Sequence, residues 1–248
     1  MRSADYFSAS AEAYAAFRPS YPDTLIRYVA SCAPGRDLAW DCATGNGQAA
    51  VPLAHWFARV VATDASATQL AHARPHPRVT YRLAAAGASG LDAASVDLVT
   101  VAQALHWLDL DAFYKEVHRV LKPDGVLAVW CYARCRVAPE IDPVIDWFYD
   151  ERIGRYWPPE RLHTETAYRD LPFPFAELPA AAWAMTASLT RAELLGYIGT
   201  WSAVDIARRT EGADPVPELE ARLAPVWPSD AMRRSVTWPL ALRIGRPG

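Results

Sequence analysis

The chain has 248 residues, of which 52% are hydrophobic and 21% charged, and its formal net charge is −3. That is enough apolar material for a large core, and the near balance of charge gives no sign of a nucleic-acid or membrane-surface partner. No apolar run approaches the roughly 18–20 residues of a membrane-spanning helix.

The opening residues, MRSADYFSASAEAYAAF, place acids and tyrosines where a secretory leader needs an unbroken apolar stretch, so a cytoplasmic location is expected. The cysteines are Cys32, Cys42, Cys131 and Cys135. No second pair or neighbouring His completes a zinc set, so they read as reduced thiols and no metal is expected.

Residues 1–35 read as an N-terminal helical cap. From Arg36 to Trp130 two hydrophobic periods alternate. Asp37 to Cys42 reads as a short buried strand and Gln48 to Phe57 as a helix, with Pro52 confined to its first turns. Arg59 to Asp64 is a second strand. Ser66-Ala-Thr-Gln69 has the capping-box pattern and opens a helix to about Arg74. Val79 to Leu83 is a third strand. Val96 to Ala102 is a fourth, apolar enough to be covered on both faces. Asp109 caps a helix whose Phe113, Val117, Val120 and Leu121 share one face, and Lys122-Pro-Asp-Gly125 stops it before a fifth strand, Val126 to Cys131.

Beyond this the chain changes character. Pro139 to Phe175 is rich in Pro and aromatics, and six of the ten tryptophans (Trp147, Trp157, Trp183, Trp201, Trp227 and Trp238) follow Tyr132. Ala181 to Ser188 is a further strand, Arg191 to Trp201 and Pro217 to Leu223 are helices, and Ser235 to Ile244 is a closing strand. Strands alternating with helices predict an α/β fold: a Rossmann-like, doubly wound, mostly parallel seven-stranded sheet with a helical, aromatic-rich insertion after strand 5. The simplest organisation is one domain over 1–248, with 36–132 as the cofactor-binding core and 133–248 as insertion and closing strands.

The first strand runs into Asp41-Cys-Ala-Thr-Gly-Asn-Gly47, and the acid Asp64 ends the second strand seventeen residues later. A glycine pair lets backbone approach a ligand at a helix start, and an acid at the second strand end accepts hydrogen bonds from ribose hydroxyls. Two cofactors suit this order. Gly45-x-Gly47-x-x-Ala50 matches the dinucleotide fingerprint, so an NAD-dependent oxidoreductase is one reading. S-adenosylmethionine (SAM) is the other. It is favoured because Asp41 would repel a pyrophosphate but attract a cationic amino group, and because no second nucleotide-binding half follows strand 5. A non-catalytic SAM-binding protein is a further alternative.

The chain resembles the type 11 class I methyltransferases, close to their trans-aconitate-methyltransferase-like subgroup. FSASAEAYAAFRPSYP (7–22) is similar to their opening, DCATGNGQ to their first SAM motif with Asp64 as the ribose acid, and VDLVTVAQALHWLDL to their fourth-strand motif. EVHRVLKPDGVLAVW is similar to the helix and strand that follow. The resemblance implies a SAM-dependent methyltransferase acting on a small-molecule acceptor, possessing no nucleic-acid or membrane partner, as a monomer or homodimer. It places Asp41, Ala43, Gly45, Asn46 and Gly47 around the cofactor's amino-acid part, Asp64 on the ribose, Ala65 under the adenine and Gln103 beside the methionyl portion. Tyr14 and Arg18 would fold over the cofactor, and with Phe17 and Tyr21 they suggest a covering flap. In place of the acid common after the third strand stands Ala84-Ala-Ala-Gly87, so adenine recognition falls to backbone near Ala86 or Gly87.

His106 and Trp107 follow the fourth strand and are expected in the substrate pocket. His106 is a candidate general base, an orienter of an acceptor carboxylate, or a buried structural histidine. Trp107 is expected to be a pocket wall. The six late tryptophans read as core, some lining the pocket.

Overall fold

Residues 19–248 are described in the computed structural model, so the expectations for Tyr14, Phe17 and Arg18 lie outside the described residues. These residues fall into two compact units, one comprising 20–133, 163–184 and 240–248, the other 134–162 and 185–239 with Pro19.

The first unit opens with α1 (Asp23–Cys32), whose Leu25, Ile26, Val29 and Ala30 are buried. This helix lies within the predicted cap. Strands β1 (Leu38–Cys42), β2 (Arg59–Asp64), β3 (Val79–Leu83) and β4 (Val96–Ala102) fall within a residue of their predicted ends. The helix after β1 is shorter than expected: α2 keeps only Ala50–Leu53. Pro52 has no N–H to give and fits only a first turn, which accounts for the late start at Ala50; past Leu53 the chain continues as turns over 54–56. Helix α3 covers Ala67–Ala71, with the Ser66 side chain accepting from the Gln69 N–H at 3.3 Å as the capping pattern predicts. Helix α4 (Leu110–Val120) starts at Asp109, which accepts from the Ala112 N–H, and buries Phe113, Val117 and Val120.

Strand β5 (Leu121–Tyr132) begins five residues earlier than predicted. Leu121 pairs with Val96 before the register shifts to Leu98 opposite Val126, so the Lys-Pro-Asp-Gly segment is accommodated by a bulge. At this edge the Asp97 carboxylate accepts from the Asp37 and Leu38 N–H groups at 3.0 Å and pairs with Lys122 at 2.7 Å.

The sheet runs β3-β2-β1-β4-β5, then β8 (Arg234–Arg246) and β6 (Ala176–Glu177), with β7 (Trp183–Leu189) pairing β8. Strands β1 to β5 are parallel and β8 is antiparallel to β5. Beside the seven long strands lies an eighth, the two-residue β6 (Ala176–Glu177). Strand order reverses between β1 and β4, and the crevice at such a reversal is where open α/β sheets bind ligands. One face of the sheet packs Trp40, Val99, Val101, Leu127 and Val129 against the apolar stripe of α4. Each such side chain contributes roughly 1.5–3 kcal/mol by leaving water.

The second unit is mainly helical. It contains α5 (Asp142–Trp147), which continues into a π-helical turn over Phe148–Arg152, then α6 (Arg191–Ile198), α7 (Ser202–Glu211) and α8 (Val216–Leu223). The helix predicted to run from Arg191 to Trp201 stops at Ile198, and a second helix starts at Ser202. Arg152 joins two of these segments by ion pairs to Glu211 (2.7 Å) and Glu218 (2.8 Å). Trp201, Trp227 and Trp238 are buried, as a core reading expects.

Candidate active site

Strand β1 delivers Asp41 to the crevice, and the next residues turn sharply. Ala43, Gly45 and Gly47 all have positive φ (54°, 58° and 88°). At Gly47 a Cβ would overlap the Tyr81 hydroxyl, and its left-handed φ favours glycine where the loop passes β3. The Gly47 N–H closes a turn on the Thr44 carbonyl at 3.0 Å, and the Thr44 N–H bonds the Thr63 carbonyl of β2.

Asp41 is 1% exposed. Its two oxygens accept the hydroxyls of Thr44 (2.5 Å) and Thr100 (2.7 Å). Burial pushes its pKa up to about 6, against the lowering effect of the two hydroxyls and with a further rise from Asp64. Asp41 therefore acts on the loop through Thr44 as well as through its charge. Thr44 and Thr100 were not singled out in the sequence. Thr100 was within reach of pattern reasoning, because in parallel register it stands opposite Asp41.

Asp64 spans the loop from the other side. One carboxylate oxygen accepts the Gly45 N–H and the other the Ser66 N–H, both at 2.8 Å. Burial raises its pKa, while the Ser66, Gly45 and Ala65 N–H groups pull it down. Each oxygen of an ionised carboxylate has a second lone pair, which leaves capacity for two more donors such as a ribose diol. Ala65 beside it is exposed. Asn46 is buried, and its side-chain Nδ2 has no hydrogen-bond partner among the described residues.

Across the switch point, Gln103 has φ 57°. Its backbone N–H bonds the Trp130 carbonyl and its side-chain oxygen accepts the Tyr132 N–H at 2.7 Å, extending the β4–β5 pairing past the strand end. Ala86 packs on the core under the sheet, and a Cβ on Gly87 would strike Ala112 at 2.8 Å. Tyr21, grouped with a flap in the sequence reading, is buried with its ring edge-on to Trp130 at 5.4 Å. Aromatic burial overrides the flap expectation for that residue.

His106 sits in a short 3₁₀ turn, Leu105–Trp107, directly after β4. It is 7% exposed, and its Nδ1 lies 2.8 Å from the hydroxyl of Tyr168. The Trp107 ring packs at 4.8 Å from the imidazole. Tyr168, 62 residues away, was not foreseen from the sequence. Both Ala167 and Tyr168 have positive φ (57° and 61°), a conformation costing about 1–3 kcal/mol each for residues with a Cβ. Among the described residues no group of three or more His, Cys, Asp or Glu is arranged to hold a metal, and no helix is long and apolar enough to cross a membrane.

Residues 40–129 match the methyltransferase domain family, type 11. A Dictyostelium discoideum protein assigned to the methyltransferases is 35% identical over 223 residues, covering 88% of this chain and 85% of its own. An uncharacterised methyltransferase of Mycobacterium bovis is 32% identical over 79% of this chain and 76% of its own. A solved structure from Anaeromyxobacter dehalogenans, described as a type II methyltransferase, is 46% identical, with a TM-score of 0.87 over 94% of this chain and all of that one. With sheet order, glycine loop and relatives in agreement, the chain belongs to the class I SAM-dependent methyltransferases.

Proposed function

We propose that the chain methylates an oxygen, carboxylate or hydroxyl, of a small-molecule acceptor, as a member of the trans-aconitate-methyltransferase-like subgroup. The observation that carries this reading is the pair of acids, Asp41 and Asp64, set around one left-handed glycine loop at the switch point. Two acids suit a cationic cofactor and oppose the pyrophosphate of a dinucleotide. The buried, unpartnered Asn46 amide supplies a donor in the same loop, in keeping with a cofactor that also carries a carboxylate. Neither the NAD-dependent nor the non-catalytic reading gains support from a specific observation.

In this reading the backbone of Ala43, Gly45 and Gly47 receives the amino-acid part of SAM, Asp64 the ribose, Ala65 and backbone near Ala86 and Gly87 the adenine, and Gln103 the methionyl portion. When bound, SAM supplies an electrophilic methyl on a sulfonium sulfur. The protein's task is to hold the acceptor in line and exclude water, and orientation alone contributes up to about 7–11 kcal/mol in model reactions. His106 orients the acceptor and Trp107 forms a wall. Residues 1–248 act as one methyltransferase domain in the cytoplasm, as monomer or homodimer. Incubation with methyl-labelled SAM and a panel of small acids and phenols, followed by mass spectrometry, should give a labelled ester or ether. Cofactor binding without any labelled product across the panel would favour the non-catalytic reading.

A further inference from the structure

One side chain of β3 reaches the glycine loop at two points. Tyr81 stands in the middle of that strand, opposite Ala62 of β2, and is half-buried. Its hydroxyl donates to the Arg74 carbonyl at 2.7 Å, and the Arg74 N–H donates in turn to the Asn46 carbonyl at 3.1 Å. The same phenol lies against Gly47. A Cβ there would overlap its oxygen and come within 3.1 Å of Cζ and 3.3 Å of Cε1. Tyr81 thus meets two successive residues of the loop, Gly47 directly and Asn46 through the backbone of Arg74.

We propose that Tyr81 is a positioning residue for the cofactor, its phenol fixing the glycine loop in the shape that receives the amino-acid part of SAM. This rests on the reading of that loop as the cofactor site.

The loop depends on such outside support. Ala43, Gly45 and Gly47 take positive φ within five residues, and glycine leaves a backbone freer to adopt other shapes. The Gly45 N–H on Asp64 and the Thr44 N–H on Thr63 tie the loop to β2, and the Gly47 N–H on Thr44 ties it to itself. The Arg74 N–H adds a tie to the segment between α3 and β3. That segment carries Pro75 and Pro77, which have no N–H to anchor it, so the Tyr81 hydroxyl fastens it to the strand at the Arg74 carbonyl. A loop that must aim backbone groups at a ligand loses apparent affinity in proportion to the fraction of molecules outside the competent shape.

No proton transfer is asked of the phenol. Burial first, and the charge of Asp41 second, push its pKa up to about 12, against the lowering effect of Arg74. It keeps its proton at neutral pH and donates there.

The test is Tyr81→Phe in the full chain, which removes the hydroxyl and keeps the ring. Titration calorimetry with S-adenosylhomocysteine should show affinity lower by about three- to tenfold, the loss of one hydrogen bond between neutral groups. In the ligand-free protein, amide hydrogen exchange should quicken at Arg74 and Gly47 and stay unchanged at Gln103, whose N–H bonds the Trp130 carbonyl across the sheet. A merely structural hydroxyl would lower the melting temperature without moving an affinity measured where the variant is fully folded. Gly47→Ala tests the direct contact. Alone it should bind S-adenosylhomocysteine poorly, and combined with Tyr81→Phe it should recover part of that loss, because the overlapping oxygen is gone. Unchanged affinity in folded Tyr81→Phe overturns the proposal. So does unchanged exchange at Arg74 and Gly47, or a double variant that binds no better than Gly47→Ala. A wild-type protein that binds no S-adenosylhomocysteine, yet shows the exchange changes, would overturn the cofactor reading of the loop and with it the cofactor role of Tyr81, while the tie from Tyr81 to the loop would stand.

Discussion

Replacing Asp64 with Ala is expected to weaken S-adenosylhomocysteine binding at least tenfold, and by as much as about a thousandfold, measured by titration calorimetry. The proposed loss includes two bonds to ribose hydroxyls, each charge-assisted and contributing about 1.5–3 kcal/mol. The loop is affected as well, since the Gly45 and Ser66 N–H groups both lose the carboxylate that ties the first strand's loop to the second strand's end. Asp64→Asn separates these effects. It retains one acceptor oxygen, so it should hold the loop better and lose less affinity. Unchanged affinity in a folded Asp64→Ala would remove this residue from the cofactor site.

The second large effect concerns Asp41. Its carboxyl is raised from 3.8 to about 6 in the folded protein, first by burial. A raised acid binds its proton more tightly folded than unfolded. Its ionised form therefore costs stability, fully above about pH 6, and the cost disappears as pH falls toward 3.8. The shift corresponds to roughly 3 kcal/mol. Asp41→Asn should then melt higher than wild type at pH 8, by on the order of 5 °C, with the gap narrowing by pH 5. One of the Thr44 and Thr100 hydroxyls can go on donating to the new amide oxygen while the other rotates to accept from the amide NH2. Cofactor affinity should move the other way, falling roughly tenfold as the charge opposing the cofactor's cationic groups is lost. A lower melting temperature at pH 8 would mean that the hydroxyl bonds to the carboxylate outweigh its desolvation.

Much of the sheet was legible because its punctuation is local. Asp64 ends a strand, Ser66 and Asp109 cap helices with their own side chains, and apolar runs such as Val96–Ala102 fit only a strand covered on both faces. Elements without such marks were misread. Helix α7 begins after Trp201, which offers no side-chain cap, so its start carried no signal. The bulge that draws Leu121 into β5 depends on pairing with Val96 across the sheet. The site divides in the same way. The glycine loop and its two acids are contiguous or nearly so in the chain. Thr100 reaches Asp41 from 59 residues away and is found only by pairing the first and fourth strands in parallel register, while Tyr168 reaches His106 from 62 residues away and no local pattern announces that contact.

The central claim is that this glycine loop and its acid pair hold a cationic adenosyl cofactor. The measurement that bears on it most directly is calorimetric titration of the wild-type protein with S-adenosylhomocysteine and, separately, with NAD. The expected result is saturable binding of S-adenosylhomocysteine near one per chain and no heat with NAD beyond dilution. Saturable NAD binding with none for S-adenosylhomocysteine would contradict it.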